Sequence, residues 1–191
     1  MIVEILDKIR ESEEALFRLR DDGETIGKIR DVVMKCIERI GLGGKIMFMG
    51  NGGSAADSQH LATELVSRYL KERKAIPAMA LTVDSSALTA IGNDYSFEQI
   101  FSRQVEAIGK SEDLVIGIST SGKSKNVINA LETAKSMGIY TVALTGGDGG
   151  NLVKIADCSI VVPSDHTPII QQSHITIGHI ICGLIEEKLE E

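Results

Sequence analysis

A chain of 191 residues, 43% of them hydrophobic, is long enough to bury one well-packed core, and its 20 basic against 27 acidic side chains leave it acidic at -7. That balance argues against nucleic acid as a direct partner, because the one local basic cluster, RYLKERK, is interrupted by Glu72. The three cysteines, Cys36, Cys158 and Cys182, lie far apart and form no C-x-x-C pair, which points away from a disulfide framework or thiolate zinc site and fits a reducing cytoplasm.

The opening stretch MIVEILDKIRESEEALFRLR is acidic and amphipathic, unlike a signal peptide, and no run reaches membrane-spanning length. Apolar residues recur at helical spacing at Ile2, Ile5, Ile9, Leu16 and Leu19, and again at Ile26, Ile29, Val33, Ile37 and Ile40. Asp-Asp-Gly at 21–23 separates the two sets, so a helical hairpin is expected over about residues 1–43. Short apolar runs then alternate with helical patterns. KIMFMG, AMALTV, DLVIGIST, YTVALTG and CSIVVP read as strands, with helices near 54–73, in pieces over 85–108, and at 123–137, 149–156 and 168–190. Strands apolar on both faces and separated by helices imply a five-stranded parallel sheet covered on both sides, an α/β three-layer sandwich in one domain spanning 1–191. The last helix carries Ile170, Ile175, Ile177, Ile180, Ile181, Leu184 and Ile185, too many apolar positions for a single buried stripe. It is expected to pack on several sides and to take part in a subunit interface.

GISTSGKS, Gly117 to Ser124, fits the phosphate-cradling pattern G-x-x-x-x-G-K-[ST], and the strand before it and helix after it would aim loop amides at an anion. Magnesium-dependent nucleotide chemistry also needs an apolar strand ending in Asp. YTVALTG ends in Thr-Gly, and CSIVVPSD places Pro163 and Ser164 before Asp165. The hydroxyl-rich Ile-Ser-Thr-Ser suits a phosphate monoester, so a sugar-phosphate cradle is favoured over a P-loop and over a purely structural turn. Two more loops share its position beyond the carboxyl ends of parallel strands, where ligands bind: GNGGSAADSQH after the first strand and TGGDGG after the fourth. Each alone would be an ordinary glycine-rich turn.

His60 and Glu64, at spacing i, i+4, share one helix face, with Arg68 one turn further. Such a pair can bind metal or share proton transfer; the competing reading is an ordinary polar pair on a helix surface. His174 and His179 lie inside a strongly apolar helix, where a histidine is more often a hydrogen-bonded core residue than a catalyst.

GNGGSAADSQHLATELVSRY, AIGNDYSFEQIFSRQVEA, GISTSGKSKNVINAL, ALTGGDGG and IIQQSHITIGHIICGLIE together resemble the sugar isomerase (SIS) domain. Their order and spacing are similar to those of the phosphoheptose isomerase, or sedoheptulose-7-phosphate isomerase, family, over essentially the whole chain. The resemblance implies a flavodoxin-like SIS fold and a cytoplasmic homotetramer. The implied reaction converts D-sedoheptulose 7-phosphate to D-glycero-D-manno-heptose 7-phosphate by enediol proton transfer, the first step of bacterial ADP- or GDP-heptose biosynthesis. By resemblance, Asn51, Gly52, Gly53, Ser54, Asn93 and Asp94 contact substrate, as do Ser119, Thr120, Ser121, Ser124 and Gln171. Glu64, also beside substrate, and His179 form the acid–base pair. Many family members bind zinc through a His, a Glu, a Gln and a His, which match His60, Glu64, Gln171 and His179. No nucleotide, nucleic acid or membrane is implied. The chain departs from the family at Ile169 and Gln172, where Arg and Glu are frequent. Two other functions compete with the isomerase. Some SIS relatives bind the replication initiator without catalysis and lack the acidic residue matching Glu64, and a sugar-phosphate sensor would bind without turnover.

Overall fold

Asp22 decides where the first helix stops. Helices α1 (Ile2–Asp21) and α2 (Gly23–Gly41) are separated by this one extended residue. Its carboxylate accepts from the amides of Glu24 and Thr25 at 3.1 and 3.4 Å and from the Thr25 hydroxyl at 2.6 Å, satisfying the first free donors of α2. The structure, a computed structural model, describes residues 1–190.

The strands are β1 (Ile46–Gly50), β2 (Ala78–Ala80), β3 (Leu114–Ile118), β4 (Tyr140–Gly146) and β5 (Cys158–Val162). They pair in parallel in the order β2-β1-β3-β4-β5. Between and after them run α3 (Gly53–Val66), α4 (Ser85–Asp94), α5 (Ser102–Ile108), α6 (Lys125–Ser136), α7 (Leu152–Ile155) and α8 (Thr167–Leu189). Side chains alternate across the sheet. Ile46, Phe48, Leu114, Ile116, Val142 and Leu144 enter a core shared with α2, α3 and α8. Met47, Met49, Val115 and Ala143 enter a second core shared with α5, α6 and α7. Because both faces of every inner strand are covered, these strands read as continuous apolar runs, and the three-layer α/β arrangement is the one expected from sequence.

Three elements are shorter than their periodicity indicates. The helix expected over 54–73 ends at Val66, and residues 67–74 form no regular structure. Arg68, placed by helical spacing on the His60–Glu64 face, therefore lies beyond the helix and pairs with Glu72 at 3.9 Å in solvent. Within AMALTV only Ala78–Ala80 pairs with β1, and Asp84 then turns the chain by capping α4 through the Ala87 amide at 2.9 Å. The helix expected at 149–156 is the single turn α7, since Gly149 and Gly150 both take positive φ and cannot join a right-handed helix.

Helix α1 buries only Ala15 and Leu19, leaving Ile2, Val3, Ile5, Leu6, Ile9 and Phe17 in solvent. At its inner side Ser12 donates to the Gln172 amide oxygen at 2.8 Å, which ties α1 to α8. No helix among the described residues is long and apolar enough to cross a membrane.

His174 is fully buried on the inner face of α8, with Nε2 3.0 Å from the Thr145 carbonyl oxygen, so it is a core histidine. Burial drives its pKa down to about 4, and the Thr145 carbonyl opposes the shift. The unfolded imidazole titrates near 6.5. Below that pH the unfolded chain gains a proton that the folded chain refuses, so this contribution to stability is complete above pH 6.5. It falls between 6.5 and about 4 by up to roughly 1.4 kcal/mol per pH unit and is flat below. Urea midpoints measured from pH 7.5 to 4.5 are expected to fall less steeply in His174→Gln than in the native chain; parallel profiles would show that His174 is protonated in place.

Candidate active site

The strand order reverses between β1 and β3, because β2 lies outside β1 while the chain continues from β3 toward β4. The carboxyl ends of β1 and β3 flank this switch point, which is the usual ligand site of a doubly wound sheet. Asn51, immediately after β1, spans it. Its side-chain amide donates to Asn126 Oδ1 at 2.9 Å, and the Asn126 amide donates back to Asn51 Oδ1 at 2.8 Å. Asn126, 3% exposed at the start of α6, also accepts from the Val127 amide at 2.9 Å. Sequence reading passes over Asn126, since asparagine near a helix start is common for local reasons.

The β3 loop is built as a hydroxyl-lined cradle. Ser124 stands at the N-cap of α6 but caps no amide with its side chain. Its hydroxyl instead lies 2.9 Å from that of Ser119, which is buried at the end of β3. Gly122, at φ +64°, reverses the loop so that its carbonyl accepts from Asn151 at 2.9 Å, locking the β3 and β4 loops together; a β-carbon there would collide with Gly149. Beside this junction is a cavity of 340 Å³ lined by Thr120, Ser121, Lys123, Gly146, Gly147, Asp148, Asp165, Thr167 and Ile170. Thr120 and Ser121 thus face open space at the N-terminus of α6, where amides and dipole favour an anion.

Gly52 and Gly53 open α3, with Ser54 buried in its first turn. The Gln171 amide lies on Gly53 so closely that a β-carbon would meet its nitrogen at 2.5 Å. Asn93 and Asp94 sit exposed at the end of α4 and bond to each other at 2.8 Å; neither is among the residues lining the cavity.

Further along α3, His60 Nε2 lies 2.9 Å from Glu64 Oε1, the contact that i, i+4 spacing anticipates. Helix α8 supplies what spacing could not: His179 Nε2 lies 3.1 Å from His60 Nε2, with the two rings 4.9 Å apart. The helices can approach so closely because α8 carries Gly178 under Leu61 of α3. His60, Glu64 and His179 therefore point their donor atoms at one another, all within 4.8 Å. Donors sharing a four-coordinate zinc at bond lengths of about 2.0–2.2 Å stand roughly 3.3 Å apart, so this set fits the ion in both chemistry and spacing. Gln171, two turns before His179 on α8, packs against Gly53 at the start of α3.

Asp57, one turn before His60 on α3, is a member of this face that sequence reading missed. Burial pushes its pKa up, the nearby His60 and His179 rings oppose the shift, and its Oδ2 has no hydrogen-bond partner among the described residues. The D-x-x-H-x-x-x-E spacing, which puts all three on one helical face, is the signal that could have found it.

Residues 9–146 match the SIS domain family. The phosphoheptose isomerase of Sulfurimonas denitrificans is 52% identical over 185 residues, covering 97% of this chain and 95% of that protein. Among solved structures, the phosphoheptose isomerase from Neisseria gonorrhoeae superposes with a TM-score of 0.90 at 38% identity, covering 98% of this chain and all of that one. The phosphoheptose isomerase from Francisella tularensis gives 0.91 at 34%, covering 97% and 98% of the two chains. The likeness extends over essentially the whole chain, and the chain belongs to the phosphoheptose isomerases of the SIS domain family.

Proposed function

We propose that the chain interconverts D-sedoheptulose 7-phosphate and D-glycero-D-manno-heptose 7-phosphate, with the phosphate in the β3 cradle and the reacting carbons at the α3–α8 cluster. The observation that carries this reading is the meeting of His60, Glu64 and His179 on two helices that start at the carboxyl edge of the sheet, one of which lines the cavity beside the cradle. Helix α3 starts at the β1 loop, and α8 lines the cavity with Thr167 and Ile170 before reaching His179. Ile170 and His179 are separated by roughly 13 Å of helix rise, which suits an extended sugar phosphate held at both ends.

In this mechanism Ser119, Thr120, Ser121 and Ser124 hold the phosphate by hydroxyls and free loop amides. Asn51, Gly52, Gly53, Ser54 and Gln171 border the sugar where α3 begins, and Asn93 and Asp94, which lie outside the cavity lining, are substrate contacts on the resemblance alone. Glu64 takes a proton from C1 of the ketose while His179 gives one to O2, forming the enediol. Return of a proton to C2 and loss of the O1 proton leave the aldehyde at C1, so no atom is gained or lost. A carboxylate and an imidazole are the side chains most often used for this kind of general acid–base exchange. His60, Glu64, His179 and Gln171 would hold zinc, which when bound polarises the oxygens of C1 and C2. The apolar faces left open on α1 and on α8, where Ile180 is 44% exposed, are the surfaces on which copies would join as a cytoplasmic homotetramer.

The decisive experiment incubates purified chain with sedoheptulose 7-phosphate and follows appearance of an aldose phosphate. Binding without turnover would transfer the reading to a sensor or an initiator-binding protein. For the metal, protein purified without chelator is expected to contain zinc that is lost in His60→Ala, and chelation is expected to slow turnover at least tenfold with recovery on adding Zn²⁺. A metal-free protein with an unchanged rate would remove zinc from the mechanism and leave the acid–base pair standing.

A further inference from the structure

The irregular segment between α3 and β2 is folded around a buried charge pair. Arg73 Nε donates to Glu186 Oε1 at 2.9 Å, and each side chain is 2% exposed. The Glu186 carboxylate also accepts from the amides of Tyr69, Leu70 and Lys71 at 2.9, 2.7 and 2.9 Å. The rest of the Arg73 guanidinium donates to carbonyls of Leu65 at 2.8 Å, Ser67 at 3.4 Å and Lys74 at 3.0 Å through one nitrogen, and of Glu64 at 2.8 Å through the other. Burial alone would raise the Glu186 pKa, but the three amides and the guanidinium outweigh it and hold the carboxyl below its ordinary value.

Both ends of this network lead to the candidate active site. Arg73 grips the backbone of Glu64 itself, and Glu186 lies two turns beyond His179 on α8. The segment so held carries Tyr69, whose ring stacks at a tilt on the His179 imidazole with centroids 5.6 Å apart. Gly183 makes room for that ring, since a β-carbon there would meet Tyr69 Cε1 at 3.1 Å. A helix end that needed only a stop would be served by water or a glycine cap. A fully buried ion pair is costly to desolvate, and its best-attested return is a single specified arrangement.

We propose that Arg73 and Glu186 are positioning residues for the His60–Glu64–His179 cluster: their ion pair fixes the Glu64 end of α3 against α8 and seats the Tyr69 ring on His179, holding the imidazole in its working orientation. The proposal rests on the reading of that cluster as metal-binding and catalytic. It assigns Tyr69 to orienting His179 and gives it no proton to transfer.

The test uses the full-length chain and its Tyr69→Ala, Tyr69→Phe and Glu186→Gln variants. Cobalt(II) is the spectroscopic probe of the cluster, alongside kcat and KM for sedoheptulose 7-phosphate and thermal melting. Tyr69→Ala is expected to melt close to the native chain, to bind Co²⁺ about 10- to 100-fold more weakly with an altered visible spectrum, and to lose kcat with KM little changed. Tyr69→Phe, which keeps the ring, restores both. Glu186→Gln is expected to lower the melting temperature and weaken Co²⁺ binding together. Native cobalt affinity, spectrum and kcat in Tyr69→Ala would overturn the proposal, as would a Glu186→Gln chain that melts earlier yet binds cobalt as before. A native chain that binds cobalt without isomerising the ketose would sink the proposed reaction, while the cobalt measurements still decide the positioning role. A native chain that isomerises without taking up cobalt transfers the decision to kcat in Tyr69→Ala, and one that does neither ends the proposal.

Discussion

Replacing Glu64 by glutamine is expected to lower turnover of sedoheptulose 7-phosphate by roughly 10² to 10⁴, the usual worth of a positioned acid–base group. The substitution preserves size and hydrogen-bonding capacity, so the 2.9 Å contact with His60 can be kept while the basicity is lost. Substrate affinity is expected to persist, since the proposed phosphate cradle lies on the β3 loop and does not include Glu64. Oligomeric state is expected to persist as well, since the open apolar faces lie on α1 and α8. Glu64 also belongs to the proposed metal set, so the zinc content of the variant has to be measured alongside its rate. A variant with native metal content and a slow rate identifies proton transfer as the lost step. A variant that isomerises at the native rate makes Glu64 a helix-surface carboxylate and moves the balance toward a binding protein.

The second large effect is expected at the cradle. Ser119→Ala combined with Ser121→Ala removes the Ser119–Ser124 hydroxyl contact of 2.9 Å and one hydroxyl that lines the cavity. Hydrogen bonds to a charged group are worth about 1.5–3 kcal/mol each, so kcat/KM is expected to fall by roughly 10² or more, carried mainly by KM. Inorganic phosphate, which protects the native protein in a thermal melt if the cradle binds it, is expected to lose that protection in the double variant. Unchanged kinetics would place the phosphate elsewhere. The same assay separates the sugar-phosphate reading of GISTSGKS from the nucleotidase reading. The strand after this loop, β4, ends in Thr145 and Gly146 and offers no carboxylate for magnesium, so ATP is expected neither to be hydrolysed nor to raise the melting temperature. Steady phosphate release from ATP would restore the nucleotidase reading.

What the amino-acid sequence determined by itself is whatever depends on neighbours along the chain. The strand positions, the parallel sheet and the two covering layers follow from runs such as DLVIGI and YTVALTG, whose residues are apolar on both pleat faces. The His60–Glu64 contact follows from the helical repeat, and the end of α1 from Asp22 capping its own next turn. Tertiary structure alone decided the rest. His179 meets His60 across 119 residues only because Gly178 lets α8 lie directly on α3. Asn51 and Asn126 pair across 75 residues only because β1 and β3 are neighbours in the sheet. Helix α3 stops at Val66, short of where its periodicity runs, because hydrogen bonds that Arg73 donates to the last carbonyls and that Glu186 accepts from the following amides replace those of the next helical turn. Glu186 lies 113 residues from Arg73, and no local pattern of spacing or propensity can register a partner that only folding brings near.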